Sequence, residues 1–222
     1  MRITMIRAAA TLISLAAIFG AGMSAAPPAA AATPVTAGDM LSSGPKGNRY
    51  FCTVGFPDPV HASIVYTASH CYRGNREVRV GSQRIGTFRP EMVFNKKLDL
   101  VAIHLYDGVP SRNVLCLNDG CHPIAAPRMP AVGEYVCKYG STTGETCGAI
   151  TAVWDREFSM DLYCDKGDSG GPIYQYGADG TVHMIGMVTA TKKNNPWVVY
   201  GTSITSISAL LRDTWGPGWS MF

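Results

Sequence analysis

The segment at residues 165–172, DKGDSGGP, contains the residue types that an activated serine requires. A serine hydroxyl attacks a carbonyl carbon when a general base lies within hydrogen-bond reach and N–H donors face the developing oxyanion. Gly167 can adopt backbone angles that other residues disfavour, so that its N–H and that of Ser169 can form an oxyanion hole. The same composition is also typical of a polar surface turn. The segment alone therefore does not decide whether Ser169 is a nucleophile.

Two other residues have contexts that suit the remaining roles. His70 ends the strand-like run SIVYTASHC (63–71), whereas the other histidines lack such a setting: His61, His104, His122 and His183. Asp99, in KKLDLVAIHL, opens an apolar run that should be buried, and a buried carboxylate is costly unless it is paired and hydrogen-bonded. An imidazole N–H would supply that partner. We therefore predict Ser169 as nucleophile, His70 as general base and Asp99 as its orienting carboxylate.

The elements that would position these residues have the pattern of strands. Short apolar runs rich in β-branched and aromatic residues recur between Gly, Pro, Asn and Asp; they include RYFCTVGF (49–56), LVAIHLY (100–106), GEYVCKYG (133–140) and TVHMIGMVTAT (181–191). This spacing predicts an all-β sandwich or barrel, and a proline-containing stretch between two groups of runs indicates two β modules. Only SISALLRDTWG (206–216) has helical spacing, with Ser206 as cap and Gly216 as stop.

The amino-terminal region has the layout of a secretory signal peptide. Arg2 and Arg7 precede an uncharged apolar run from about Ala8 to Gly22 and then small residues, and we predict a signal over residues 1–32. The alternative is a membrane anchor, but about 15 apolar residues are too few to span a bilayer. We expect an exported protein, extracellular or in the cell envelope, without stable membrane insertion.

Charge and cysteine content limit the partners. The signal carries two of the 19 basic residues and none of the 16 acidic ones, so its removal lowers the net charge from +3 to +1. Such a chain lacks the basic surface that nucleic-acid binding requires, and we expect no nucleic-acid partner. The seven cysteines are expected to form disulfides outside the cytosol, with at least one thiol left over. No metal site is expected, because the sequence has no C-x-x-C pair and no histidine pair at zinc-site spacing.

The motifs resemble those of the chymotrypsin-like serine proteases. TASHC, DLVAIHL and GDSGGP are similar to the family's histidine, aspartate and serine motifs, and they occur in its His, Asp, Ser order. VTAGDML (35–41), CTVGF (52–56) and VCKYGSTTGETCG (136–148) resemble segments of the bacterial streptogrisin and α-lytic protease group. The resemblance implies two six-stranded antiparallel β-barrels, trypsin-like, with a short C-terminal helix. The corresponding bounds are an N-terminal segment at 33–48, a first barrel at 49–115, a connecting segment at 116–131, a second barrel at 132–205 and the helix at 206–215.

The resemblance also implies structural pairings. It pairs Cys52 with Cys71 and Cys137 with Cys147, while Cys116 and Cys121 are close enough in sequence to form a third pair and Cys164 would be free. The chain has no Ile-Val-Gly-Gly start that could generate an activating amino terminus. In the bacterial group a basic residue in the second-barrel motif has that role, so we expect Lys138 to pair with Asp168.

The expected function follows from the same resemblance. We expect a secreted, monomeric serine endopeptidase that acts on protein or peptide substrates without a cofactor. Substrate would pair with the strand at Thr189, Ala190 and Thr191. Asp165 would favour basic side chains, or is a solvated loop residue, and Thr191 would favour small ones; the sequence does not choose between these preferences. Two alternatives are a catalytically weak binding protein with a protease fold and an esterase that uses the same triad.

Overall fold

The computed structural model describes residues 32–221, so the predicted signal peptide lies almost wholly outside the described part of the chain. These residues are arranged in two β-sheets and a C-terminal helix. The strands of the first half are β1 Val35–Ala37, β2 Met40–Ser43, β3 Tyr50–Thr53, β4 Phe56–Pro57, β5 Ile64–Thr67, β6 Glu77–Val80, β7 Gln83–Phe88, β8 Phe94–Asn95 and β9 Leu100–Leu105. The second half contains β10 Ser111–Leu117, β11 Gly120–Ala125, β12 Tyr135–Gly140, β13 Gly144–Val153, β14 Glu157–Asp161, β15 Pro172–Tyr176, β16 Val182–Lys192 and β17 Asn195–Ser203.

The first sheet is a curled half-barrel. Its hydrogen-bonded order is β3-β2-β6-β7-β9-β5-β4, and β8 also pairs with β9. Strands β5 and β9 lie side by side and are almost entirely buried, which explains their continuous apolar sequence. The sheet is open because its two edge strands, β3 and β4, do not pair with each other. The backbone N–H of Thr53, the last residue of β3, donates to the carbonyl of Ser169 at 2.8 Å, so the predicted nucleophile loop contacts the sheet at this open edge.

The second sheet closes into a six-stranded barrel. The order β16-β15-β12-β13-β14-β17 returns to β16, because β16 also pairs with β17. Strands β11, β10 and β1 extend the sheet beyond β16. The barrel interior is filled by buried side chains from its strands and from the segment that follows β14: Val136, Ile150, Phe158, Met160, Leu162, Cys164, Ile173, Ile185, Val188 and Val199.

The predicted all-β class and trypsin-like architecture with a C-terminal helix are confirmed, although only the second sheet is a closed barrel. Helix α1 spans Ile204–Trp215, so it begins two residues before the predicted start, and Ser203 rather than Ser206 occupies the cap position. The Ser203 hydroxyl pairs with that of Thr205 at 2.7 Å. Gly216 ends the helix with φ of 97°, as expected for a glycine stop. No helix within residues 32–221 has the length and apolar character needed to cross a membrane.

A buried carboxylate joins the C-terminal segment to the first sheet. Asp58 accepts hydrogen bonds from the Tyr66 hydroxyl at 2.6 Å and from the Trp219 indole N–H at 2.9 Å. The Trp215 indole N–H in turn donates to the Tyr66 hydroxyl at 3.0 Å. Because a buried charge is costly unless it is hydrogen-bonded, these donors fix the end of the chain against β5.

Candidate active site

His70 and Asp99 form a close pair at the edge of the half-barrel. His70 lies in a short 3₁₀ helix, Ser69–Cys71, directly after the buried run of β5, and Asp99 directly precedes β9. Nδ1 of His70 is 2.7 Å from Oδ2 of Asp99, and the His70 backbone N–H donates to Oδ1 at 3.0 Å. The imidazole is 42% exposed and the carboxylate 19% exposed. The carboxylate therefore engages one ring nitrogen, and Nε2 is left for another partner.

The backbone of Asp99 has an uncommon conformation that helps to hold this pair. Its φ is 48°, in the left-handed region that non-glycine residues rarely occupy but that Asp tolerates better than most. The Asp99 carbonyl accepts the Ser69 N–H at 2.9 Å. Main chain and side chain of Asp99 therefore both bind the turn that carries His70.

The Ser169 loop contacts this same turn. Gly170 has φ of 84°, and a Cβ there would lie 2.1 Å from the Thr67 hydroxyl oxygen and 2.8 Å from the Ala68 nitrogen. Any side chain at residue 170 would thus separate the loop from the segment that leads into His70. The Ser169 hydroxyl makes no hydrogen bond with any residue that the structure describes. Glycine at this position permits the close approach of the two segments.

The peptide groups around Ser169 are oriented by bonds on their carbonyl sides. The Lys166 carbonyl accepts the Thr142 hydroxyl at 2.8 Å, and the Asp168 carbonyl accepts the Gly171 N–H at 2.9 Å. In a trans peptide the N–H points away from the carbonyl, so the N–H groups of Gly167 and Ser169 point away from these partners. Neither N–H donates to another residue within 32–221. Gly167 has φ of 105°, in the range that favours glycine.

Asp168 lies beneath the loop in a fully buried ion pair. Its Oδ2 is 3.0 Å from Nζ of Lys138, and both side chains are 0% exposed. Burial by itself would raise the pKa of Asp168, but the Thr143 hydroxyl and the Lys138 charge outweigh it and hold that pKa below its usual range. The expected Lys138–Asp168 pairing is therefore present in the geometry.

Two mycobacterial proteins are related to this chain by sequence. Rv1815 of Mycobacterium tuberculosis strain H37Rv, described as uncharacterized, is 32% identical over 187 residues, covering 77% of this chain and 80% of the relative. MT1863 of strain CDC 1551, also described as uncharacterized, matches with the same values. The chain belongs to the same protein family as Rv1815. No protein-family model matches the sequence.

Solved structures with the same fold are chymotrypsin-like proteases. Protease A of Thermobifida fusca superposes with a TM-score of 0.64 at 20% identity, covering 81% of this chain and 96% of that one. The chymotrypsin of Cellulomonas bogoriensis superposes with a TM-score of 0.61 at 22% identity, covering 81% of this chain and 96% of that one. The Rv3671c protease of M. tuberculosis in its active form gives 0.57 at 16% identity, with 83% of each chain covered. At these identities the likeness shows the fold, which is that of the chymotrypsin-like proteases.

The residues predicted to contact substrate lie at the end of β16. Thr189 is buried and its hydroxyl donates to the Tyr200 carbonyl at 3.1 Å, whereas Ala190 and Thr191 are exposed. Strand β15 pairs with β16 only as far as Met187. Beyond that residue one edge of β16 faces β17, and the other is not paired with a strand in the described part of the chain.

Asp165 is exposed at the loop entrance. Its backbone N–H donates to Asp168 Oδ2 at 3.1 Å, and its Oδ1 accepts the Lys166 N–H at 2.7 Å. The Asp165 carboxylate thus hydrogen-bonds within its own exposed loop, as expected if Asp165 is a solvated loop residue.

The cysteines form three disulfides, namely Cys52–Cys71, Cys116–Cys121 and Cys137–Cys147. Cys164 is free and buried, and burial, with the nearby Asp168 charge, raises the pKa of its thiol to about 12. Among residues 32–221, two groups of three side chains have metal-ligand atoms within 4.8 Å of one another, but each contains a disulfide: Cys52, His70 and Cys71; and Cys137, Glu145 and Cys147. Disulfide sulfurs are not thiolates, and thiolate is the form in which cysteine binds metals.

Several supporting hydroxyl groups had not been predicted. Thr53 and Ser141 donate from opposite sheets to the Gly167 carbonyl, at 2.8 and 2.9 Å. The Ser69 hydroxyl donates to Asp99 Oδ1 at 2.8 Å. Each of these residues lies within a motif quoted from the sequence, and the hydroxyl side chain was the one signal that pointed to it.

Proposed function

We propose that the protein is a secreted serine endopeptidase that cleaves peptide bonds through an acyl-enzyme intermediate. The observation that carries the proposal is the His70–Asp99 pair, in which the carboxylate binds Nδ1 and leaves Nε2 as the basic site. The Ser169 loop, which lies against the His70 turn, brings the third required group into the same region.

The reaction uses these groups in two steps. Nε2 of His70 accepts the proton of the Ser169 hydroxyl as Oγ bonds to the substrate carbonyl carbon. The N–H groups of Gly167 and Ser169 donate to the resulting oxyanion, a contact worth about 3 kcal/mol per donor. The intermediate then expels the amine, which takes the proton from His70. Water attacks the ester with His70 again as base, which releases the carboxylic acid and restores Ser169.

The unpaired edge of β16 favours an extended peptide as substrate. A peptide strand can hydrogen-bond to the backbone of Thr189–Thr191 on the side opposite β17, which would place its scissile bond beside the loop. A small ester would make no such strand pairing. This edge therefore supports peptidase over esterase activity.

One observation favours the second candidate, a weakly catalytic binding protein. The Ser169 hydroxyl forms no hydrogen bond to His70 in the described structure. Hydrogen bonds between nucleophile and base are often long without substrate and tighten on binding. We therefore expect the hydrogen bond between Ser169 and His70 to form when substrate binds.

The test is to label the purified protein with a fluorophosphonate probe and to incubate it with a mixed peptide library. Ser169→Ala and heat-denatured protein are the controls. Labelling mapped to Ser169, lost in both controls and accompanied by peptide cleavage, is the expected result. Labelling with hydrolysis of esters but not of peptides would favour the esterase, and unlabelled native protein would refute the nucleophile assignment.

A further inference from the structure

The hydroxyl of Ser69 is buried against the carboxylate of Asp99. Ser69 is 5% exposed, and its Oγ donates to Oδ1 at 2.8 Å. We propose that Ser69 is a positioning residue that holds Asp99 in the orientation required to align His70. This inference deepens the proposed function and rests on it.

The three hydrogen bonds described for the Asp99 carboxylate are divided between its two oxygens. Oδ2 binds Nδ1 of His70, and Oδ1 receives both the Ser69 hydroxyl and the His70 backbone N–H. Without the Ser69 hydroxyl, Oδ1 would keep one donor, the His70 N–H at 3.0 Å. The carboxylate could then rotate about its terminal torsion, which has a broad energy minimum. Ser69 thus restricts the rotation that determines how Oδ2 meets the imidazole.

The backbone fixes the Ser69 hydroxyl in turn. The Ser69 N–H donates to the Asp99 carbonyl at 2.9 Å, so the two residues are joined by a backbone bond and a side-chain bond at once. The Ser69 carbonyl accepts the Tyr72 N–H at 3.1 Å, which closes the 3₁₀ turn. Ser69 therefore enters the contact with Asp99 from a rigid position.

No other side-chain hydroxyl among residues 32–221 donates to the Asp99 carboxylate. The Thr202 hydroxyl donates to the carbonyl of Leu98, the residue before Asp99, at 2.9 Å, and not to the Asp99 carboxylate. The position of the carboxylate consequently depends on Ser69 and on the turn that carries His70.

The test compares Ser69→Ala with Ser69→Thr, which keeps the hydroxyl, in the full protein. Ser159→Ala is the matched control, because Ser159 is also buried and its hydroxyl pairs with that of Thr151, outside the proposed site. The first measurement is the downfield proton NMR signal of His70 Nδ1–H, assigned with His70→Ala. The second is kcat and KM on a peptide that the wild type cleaves.

For Ser69→Ala we expect a shifted or broadened His70 signal and a kcat about ten-fold lower with unchanged KM, which corresponds to one hydrogen bond to a charged group. Ser69→Thr should restore both values, and Ser159→Ala should alter neither. An unchanged His70 signal in Ser69→Ala, or a kcat within about two-fold of wild type, would overturn the inference. A wild type without peptidase activity would refute the proposed function. The role of Ser69 in placing Asp99 would still be tested by the NMR signal of His70, because that signal does not require turnover.

Discussion

Replacing Lys138 with methionine should destabilise the protein strongly, although the side chain at residue 138 keeps almost the same length and volume. The Asp168 carboxylate has five described donors: the N–H groups of Thr142, Thr143 and Asp165, the Thr143 hydroxyl and the Lys138 ammonium. Lys138 is the one cation among them. Lys138→Met therefore leaves a buried carboxylate with its dipolar donors but without its counter-charge.

The expected cost of Lys138→Met is about 3 kcal/mol in the free energy of unfolding. Removal of one partner from a buried ion pair costs about 3–5 kcal/mol, and the four remaining donors place this case at the lower end. Since a domain is stable by only about 5–15 kcal/mol, the loss should be large and measurable. Asp168→Ala is less informative, because it would leave three N–H groups without an acceptor and Lys138 without its counter-charge, although Nζ of Lys138 would still donate to the Gly144 carbonyl.

The destabilisation should also depend on pH. In the wild type the pKa of Asp168 is held below its usual value of 3.8, so the contribution of its carboxylate to stability is fully present above that pH. The contribution is lost as the pH falls through the lower folded pKa. Without the Lys138 charge, burial raises the pKa of the carboxyl, and the folded variant takes up its proton at a higher pH. The difference in free energy of unfolding between the wild type and Lys138→Met should therefore become smaller as the pH is lowered.

The measurement is urea unfolding of both proteins at about pH 7 and about pH 4. Lys46→Met, the same change at an exposed lysine, is the control and should alter stability by less than about 0.5 kcal/mol. A loss below about 1 kcal/mol for Lys138→Met at neutral pH, or an equal loss at both pH values, would contradict the reasoning.

Two further predictions concern buried groups outside the proposed triad. Trp219→Phe removes the indole donor to Asp58 and should lower the free energy of unfolding, measured in urea, by about 1.5–3 kcal/mol. The control is Trp197→Phe, at a residue that is 61% exposed, which should lower it by less than about 0.5 kcal/mol. Equal effects of the two substitutions would argue against the Asp58 contact. The Cys164 thiol, with its pKa raised to about 12, should resist a disulfide reagent at about pH 8 in the native protein and react once unfolded; rapid labelling of the native thiol would contradict its burial.

The sequence predicts candidate site residues where chemical type and motif coincide, as at His70, Asp99 and Ser169. Short apolar runs rich in β-branched and aromatic residues predicted the all-β fold. The structure brings His70 and Asp99 into contact and places the Ser169 loop against the same turn.

Features that depend on distant contacts could not be predicted in this way. A serine beside a histidine is unremarkable until the fold brings Asp99, thirty positions from Ser69, within 2.8 Å. At the open edge of the first sheet, the Thr53 N–H likewise donates to a carbonyl far along the chain, that of Ser169, which no local sequence pattern indicates. Helix α1 begins at Ile204 because β17 ends at Ser203, a boundary that sheet pairing determines.

The buried Asp58 has a consequence for how the chain is assembled. Its indole donor, Trp219, is synthesised 161 residues later. A nascent chain that has formed β5 still lacks one hydrogen-bond donor to this carboxylate, so the carboxylate loses its hydration before all of its partners are in place. The first sheet can therefore reach its final stability only after the segment that carries Trp219 has docked against it. We expect this docking to be a late event in the folding of the protein.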